Sequence, residues 1–250
     1  MKLLLILALP LVGFSTAWAE VSIQNDQMYF GDDGSLHIVG EIQNNFNAPL
    51  NQIELHASLF SNGVLIDSVN SESLLNTIMP EMKGPFDFTI IGDKAKHVDD
   101  YSLDIIYKIS EPKGQVIDIT ETNFERDNFD NVVISGTVAN RGDITANTIL
   151  VIATLYDTEG NVAGVSKTHV EPDYLRADDE TFFMVQIPDK SPINPIVDYS
   201  IVAQSEEFTA VPEFPFGSMI LLASSVSAYL ILTRYSSRVI TNLVSATGSK

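Results

Sequence analysis

A chain of 250 residues with a formal net charge of −19, a pI near 4.3 and no cysteine has room for one or two domains, and it excludes disulfide frameworks and thiolate metal centres. All 33 acidic residues lie between Glu20 and Glu213, against ten of the 14 basic ones, which gives that stretch a net charge of −23. Such a surface repels phosphate backbones, so nucleic acid is excluded as a partner.

The first predicted element is a signal peptide over residues 1–19. Lys2 precedes the apolar run Leu3 to Val12, and Ala17-Trp18-Ala19 gives the small-x-small pattern for cleavage before Glu20. Alternating apolar residues then begin. Leu36, Ile38, Gly40 and Ile42 alternate with His37, Val39 and Glu41, and Ile53, Leu55, Ala57 and Leu59 alternate with Glu54, His56 and Ser58. Period two is the signature of strands with one buried face. Turn signals separate these runs at Asp32-Asp33-Gly34, Asn45 to Pro49, Ser61-Asn62-Gly63 and Lys83-Gly84-Pro85.

The pattern then repeats. Shifting the chain by 96 positions places Ile38 on Ile134, Gly40 on Gly136, Asn44 on Asn140, Ala57 on Ala153 and Leu59 on Leu155. The second inward sets are Val132, Ile134, Gly136 and Val138, then Ile149, Val151, Ala153 and Leu155. After a one-residue difference at the next turn the same offset puts Phe86 on Phe182, and Tyr101-Ser102-Leu103 corresponds to Tyr199-Ser200-Ile201 at a slightly larger shift. The expected fold is all-β: two tandem immunoglobulin-like β-sandwich domains of six or seven strands, over residues 20–110 and 116–207, joined by a linker at 111–115.

Residues 208–217 read as a juxtamembrane segment, with Thr209 to Val211 connecting the second domain to the membrane. Residues 214–233 are free of charge and about 20 long, enough for one transmembrane helix across a core of roughly 30 Å. The tail 234–250 carries Arg234, Arg238 and Lys250, which places it on the cytoplasmic side.

Two resemblances follow. Ala153-Thr154-Leu155-Tyr156-Asp157, after Gly136, Val138 and Asn140, resembles the FxLYD domains of bacterial and archaeal surface proteins. The first copy has Ala57-Ser58-Leu59-Phe60-Ser61 there, and both copies have Ala in place of the family's first Phe. The resemblance implies small β-sandwich modules with no established catalysis. Pro212-Glu213-Phe214-Pro215-Phe216-Gly217, followed by the apolar span and basic residues, resembles the archaeal PEF and PEFG-type C-terminal sorting signal. That implies processing by an archaeosortase-like enzyme and exchange of the helix for a lipid or envelope attachment.

No H-E-x-x-H pair, G-x-S-x-G elbow or glycine-rich phosphate loop occurs, so no catalytic residue is expected. His37 and His56 fall on outward faces of strands that could pair as a hairpin, within about 7–8 Å of one another, but solvated surface histidines explain them. His97 with Asp99 and Asp100 reads as a loop between strands. Asp127-Asn128-Phe129-Asp130-Asn131 and Asp178-Asp179-Glu180 carry the hard oxygens that calcium takes, without the glycine and spacing of an EF-hand loop. No cofactor is expected. The expected function is that of a non-enzymatic envelope protein, attached to the membrane and binding an envelope protein partner. The alternative is a ligand- or metal-binding accessory subunit of a membrane complex.

Overall fold

The computed structural model describes residues 20–210 apart from 130 and 189. Ala17, Ala19, the motif Pro212 to Gly217 and the predicted transmembrane helix lie outside the described residues. No helix among the described residues is long and apolar enough to cross a membrane. Those residues are all-β, with a single 3-10 turn at Ala95–His97, and the main division between two compact units falls between Pro112 and Lys113.

The first unit contains β1 (Val21–Phe30), β2 (Leu36–Asn44), β3 (Leu50–Ser61), β4 (Val64–Glu72), β5 (Thr77–Ile78), β6 (Lys83–Ile90) and β7 (Asp100–Ile109). One sheet runs β1-β2-β6; in the other, β3 pairs with β4, β5 and β7. The predicted inward sets Leu36, Ile38 and Ile42, and Ile53, Leu55, Ala57 and Leu59, are all buried. Lys83-Gly84-Pro85, expected as a turn, instead opens β6 opposite Gln43, Ile42 and Glu41. Proline is tolerated because β6 is the end strand of its sheet and Pro85 takes part through its carbonyl, which accepts from the Leu74 N–H at 2.9 Å. Glycine is needed because a β-carbon on Gly84 would strike Ile78.

Among the described residues the second unit has nine strands: β8 (Gly114–Arg126), β9 (Val132–Asn140), β10 (Ala146–Asn147), β11 (Leu150–Asp157), β12 (Val162–His169), β13 (Tyr174–Leu175), β14 (Glu180–Ile187), β15 (Ile196–Gln204) and β16 (Phe208–Ala210). Seven of them form one sheet in the order β12-β11-β15-β16-β8-β9-β14, and its two halves enclose one apolar core.

The 96-residue repeat is a repeat of hydrogen-bond register. β1 pairs with β2 from Val21↔Asn44 to Phe30↔Leu36, with a bulge between Gln24 and Gln27; β8 pairs with β9 from Ile117↔Asn140 to Arg126↔Val132, with a bulge between Thr120 and Asn123. Asn25 (φ 55) and Glu121 (φ 56) hold the same left-handed backbone in those bulges. A tyrosine from across the core braces each bulge: the Tyr101 hydroxyl donates to Asp26 at 2.7 Å and that of Tyr199 to Thr122 at 3.1 Å. Burial, and then the bond to Asp26, push the Tyr101 phenol above its ordinary value.

At the end of β2, Asn44 is fully buried. Its Nδ2 donates to the carbonyls of Ala48 (3.0 Å) and Ile78 (2.9 Å), and its Oδ1 accepts from the Phe46 N–H (2.9 Å). Asn140 does the same at the end of β9, with Ile144 (2.8 Å), Leu175 (3.0 Å) and the Gly142 N–H (2.9 Å). These side chains satisfy backbone groups where the chain turns out of one sheet.

One expected correspondence is corrected. Gly40 pairs with Phe86, and Gly136 pairs with Phe183, not Phe182. The one-residue difference introduced after β11 persists, so that Ser73 and Val170 each donate a backbone N–H to the equivalent carbonyls of Ile53 and Ile149. A slip of one residue moves a strand side chain to the opposite face, and Phe183 is 2% exposed while Phe182 is 63% exposed. Each glycine makes room for its phenylalanine: a β-carbon would stand 2.6 Å from Phe86 at Gly40 and 2.9 Å from Phe183 at Gly136.

A second correction concerns the end of the second unit. Phe208–Ala210, expected as the connection to the membrane, form β16, parallel to β8 and antiparallel to β15, while β8 begins at Gly114, two residues before the expected domain start. Phe208 is seated against Gly114 and Gly142, where β-carbons would approach its ring to 3.2 and 2.7 Å. Glu207 fastens this turn by accepting from the Asn147 backbone N–H (2.8 Å) and side-chain amide (2.6 Å). Burial alone would raise its carboxyl, but the bonds from Asn147 and Ser205 outweigh it and hold the group below the usual value of 4.5.

Two outcomes follow from this architecture. Phe183→Ala is expected to cost about 3–5 kcal/mol of stability, and Phe182→Ser to stay within about 0.5 kcal/mol, as read from denaturant midpoints. A carboxyl held low by folding stabilises above its unfolded value, and that contribution is lost as pH falls through the folded value. Acid titration of unfolding should therefore show a smaller loss of stability below about pH 4.5 in Glu207→Gln than in the parent.

Candidate functional site

The face of β2 opposite the core carries His37, Val39 and Glu41. Expected to be solvated, all three are buried. The hairpin that would bring His37 toward His56 does not form, because β2 and β3 belong to different sheets once the Asn44 corner has turned the chain between them. His56 instead meets Asn70 of β4, Nδ1 to Oδ1 at 2.7 Å.

His37 belongs to a linear polar cluster. Asp33, in the turn that Gly34 (φ 79) permits, accepts from the Ser35 backbone N–H at 2.8 Å and from the Ser35 hydroxyl at 2.5 Å. Ser35 Oγ lies 2.8 Å from His37 Nε2, and His37 Nδ1 lies 3.1 Å from Asp87. Register explains the convergence: Ser35, the residue before β2, is two from His37, His37 is paired with Thr89, and Asp87 is two residues along β6. Tyr29, directly across from His37, stacks on its ring with centroids 5.2 Å apart.

Three contacts in this chain of groups require three hydrogens. The Ser35 hydroxyl has one, and at neutral pH carboxylates ordinarily have none. The Ser35 hydroxyl bond, then its N–H, hold the Asp33 carboxyl below its usual range, and His37 adds a favourable charge. Making all three contacts at once therefore requires a hydrogen on each ring nitrogen of His37, the doubly protonated form of the ring.

The connectivity is that of a nucleophilic serine, histidine and aspartate. A nucleophile must reach a substrate carbonyl, whereas Ser35 is 1% exposed with its hydroxyl directed to Asp33. The geometry suits a structural relay of hydrogen bonds.

A second cluster lies farther along the same face. Glu41 Oε2 accepts from Lys83 Nζ at 2.7 Å and from Asn25 Nδ2 at 3.1 Å. The Glu41 side chain is 3% exposed and that of Lys83 38%. Neither cluster recurs among the described residues of the second unit. By register, Tyr29, His37 and Asp87 correspond to Glu125, Val133 and Met184, and Asn25, Glu41 and Lys83 to Glu121, Thr137 and Glu180.

The other acidic runs serve turns. Asp127 Oδ1 accepts from the N–H groups of Phe129 (2.8 Å) and Asn131 (2.9 Å), and its Oδ2 accepts from the Asn131 amide (2.9 Å). That amide leads the hydrogen bonds that hold the Asp127 carboxyl low. The Asp178 N–H donates to the Asn140 carbonyl and the Asp179 carbonyl accepts from Asn140. Asp99 accepts from the Asn62 N–H at 2.7 Å, and His97 ends the 3-10 turn. Among the described residues no group of three or more His, Asp or Glu side chains is placed to hold a metal ion. Of the predicted processing residues only Glu20 is described, and its carbonyl accepts from the Asn45 N–H at 2.9 Å.

No protein family matches the chain, and no curated protein matches it. Solved structures similar to it include an exo-chitosanase of Amycolatopsis orientalis, at 12% identity over 78% of this chain and 26% of that one, TM-score 0.27. A β-glucuronidase of glycoside hydrolase family 2 is 13% identical over 82% and 28%, TM-score 0.29. Red sea bream transglutaminase is 9% identical over 78% and 31%, TM-score 0.25. The chain spans about a quarter to a third of the length of these proteins, and likeness at such scores decides nothing about activity.

Nitrogen-15 spectra at pH 7 are expected to show both ring nitrogens of His37 protonated. A single protonated nitrogen would mean that one of the three contacts lacks its hydrogen.

Proposed function

We propose that the chain is a non-enzymatic surface protein, exported by its N-terminal signal and held at the membrane through its C-terminal segment. In this reading the two units are tandem immunoglobulin-like sandwiches of FxLYD type, acting as spacers and interaction modules for an envelope protein partner. Pro212 to Gly217 is the sorting motif presented to an archaeosortase-like enzyme.

The observation that carries the reading is what the two copies hold in common. Asn44 and Asn140, the paired bulges, and Tyr101 and Tyr199 recur, and each is engaged in maintaining the framework. What is shared is architecture, which leaves recognition to exposed loops and sheet edges. The net charge of −23 between Glu20 and Glu213 fits a segment that faces water outside the cell and stays clear of anionic lipid.

Cell fractionation tests this directly. The parent protein is expected in the membrane fraction and open to protease added to intact cells, and a chain ending at Val211 is expected in the medium. Parent protein found in the cytosol, shielded from external protease, would end the proposal.

A further inference from the structure

Asn25, Glu41 and Lys83 bring together a carboxamide, a buried carboxylate and an amine from three adjacent strands, β1, β2 and β6. The β1 bulge is what allows it: Asn25 takes the left-handed backbone between Gln24 and Gln27 and its amide reaches Glu41. Lys83 opens β6 opposite Gln43, with Pro85 opposite Glu41. One oxygen, Glu41 Oε2, accepts from both nitrogens, at 2.7 Å from Nζ and 3.1 Å from Nδ2.

A carboxylate that touches an amine and an amide nitrogen at once has the geometry of a proton relay between an attacking and a leaving group. We propose that Lys83 and Asn25 form an intramolecular isopeptide bond, with Glu41 as the relay. Glu41 takes a proton from the Lys83 ammonium, and the freed electron pair on Nζ attacks Asn25 Cγ, moving the carbonyl π electrons onto Oδ1. As the carbonyl reforms, the Cγ–Nδ2 bond breaks and Nδ2 leaves as ammonia with the proton from Glu41. The second Nζ proton passes to Glu41 and then to the ammonia. One alkylammonium and one carboxamide become one secondary amide and one ammonium ion, with no oxidant or cofactor.

Three features favour this reaction. The fold holds amine and amide against the same atom, which replaces an intermolecular encounter with an oriented one. The Glu41 side chain is removed from water, so solvent does not compete for the oxygen that both nitrogens share. The product ties β1 to β6 across β2, a covalent constraint on the unfolded chain of the kind that disulfides give other exported proteins, in a chain that has no cysteine. The second unit has Glu121, Thr137 and Glu180 at these positions, with neither amine nor amide, so the bond belongs to the first unit alone.

Mass spectrometry of the purified full-length product decides the matter, with its N-terminus read from the same sample. The parent chain is expected to be one ammonia lighter than its sequence, and its digest to contain a branched peptide joining Asn25 to Lys83. Lys83→Arg keeps a cation against Glu41 and so preserves the ion pair, but it is expected to have the full mass and no branched peptide. Glu41→Gln is expected to do likewise; should it fail to fold, Lys83→Arg still carries the test. Linear Asn25 and Lys83 peptides at full mass in the parent, or an ammonia deficit that persists in Lys83→Arg, would overturn the proposal.

Discussion

Where β2 and β9 end, the chain must turn away from its strand neighbours and cross to the other side of the core, and the backbone groups exposed by that turn have no ladder to join. Leaving them buried and unpaired costs roughly 1–3 kcal/mol for each group. Asn44 and Asn140 solve this with one carboxamide each, two donated bonds and one accepted bond, together with backbone bonds to Met82 and Glu81 in the first unit and to Asp179 and Asp178 in the second. The left-handed residues Glu81 and Asp178 belong to the same corner. With the corner in place, β2 and β3, or β9 and β11, take up separate positions, and their apolar faces can be buried.

The copies diverge where that framework leaves freedom. In the first unit β7 runs on to Ile109 and pairs with the start of β3 through Leu50 and Asn51. In the second, β15 stops at Gln204, and the equivalent Asn147 is met by the Glu207 carboxylate and the Glu206 N–H. The chain then turns back as β16. The polar groups on the outer face of β2 are a second divergence, present in one copy and replaced by Val133 and Thr137 in the other. A constant scaffold with variable polar clusters is what a duplicated module produces when packing constrains one face more tightly than the other.

Much of the fold was legible in local pattern. The inward residues from Leu36 to Ile42, from Ile53 to Leu59, and their counterparts after Val132 and Ile149 are buried as period two requires. The coincidence of Asn44 with Asn140 and of Gly40 with Gly136 marked positions where geometry admits few residue types. Alternation alone could not separate Phe182 from Phe183, because adjacent phenylalanines fit either register, and only the pairing with Gly136 decides. The polar clusters were harder still: Asp87 lies 50 residues from His37 and Lys83 lies 42 from Glu41, and their meeting depends on which strands become neighbours. The burial of His37 is invisible to alternation, because an alternating pattern describes one face and says nothing of what covers the other.

Hydrogen exchange on Asn140→Asp tests the corner most directly. Aspartate matches the shape of asparagine and keeps an acceptor for the Gly142 N–H, but it has no donor for the carbonyls of Ile144 and Leu175. Protection is predicted to fall across β9 to β14 of the second unit while β2 to β6 of the first unit remain protected. Unchanged protection in β9 to β14 would contradict the role given to this side chain, and with it the account of how the chain of each unit crosses from one side of its core to the other.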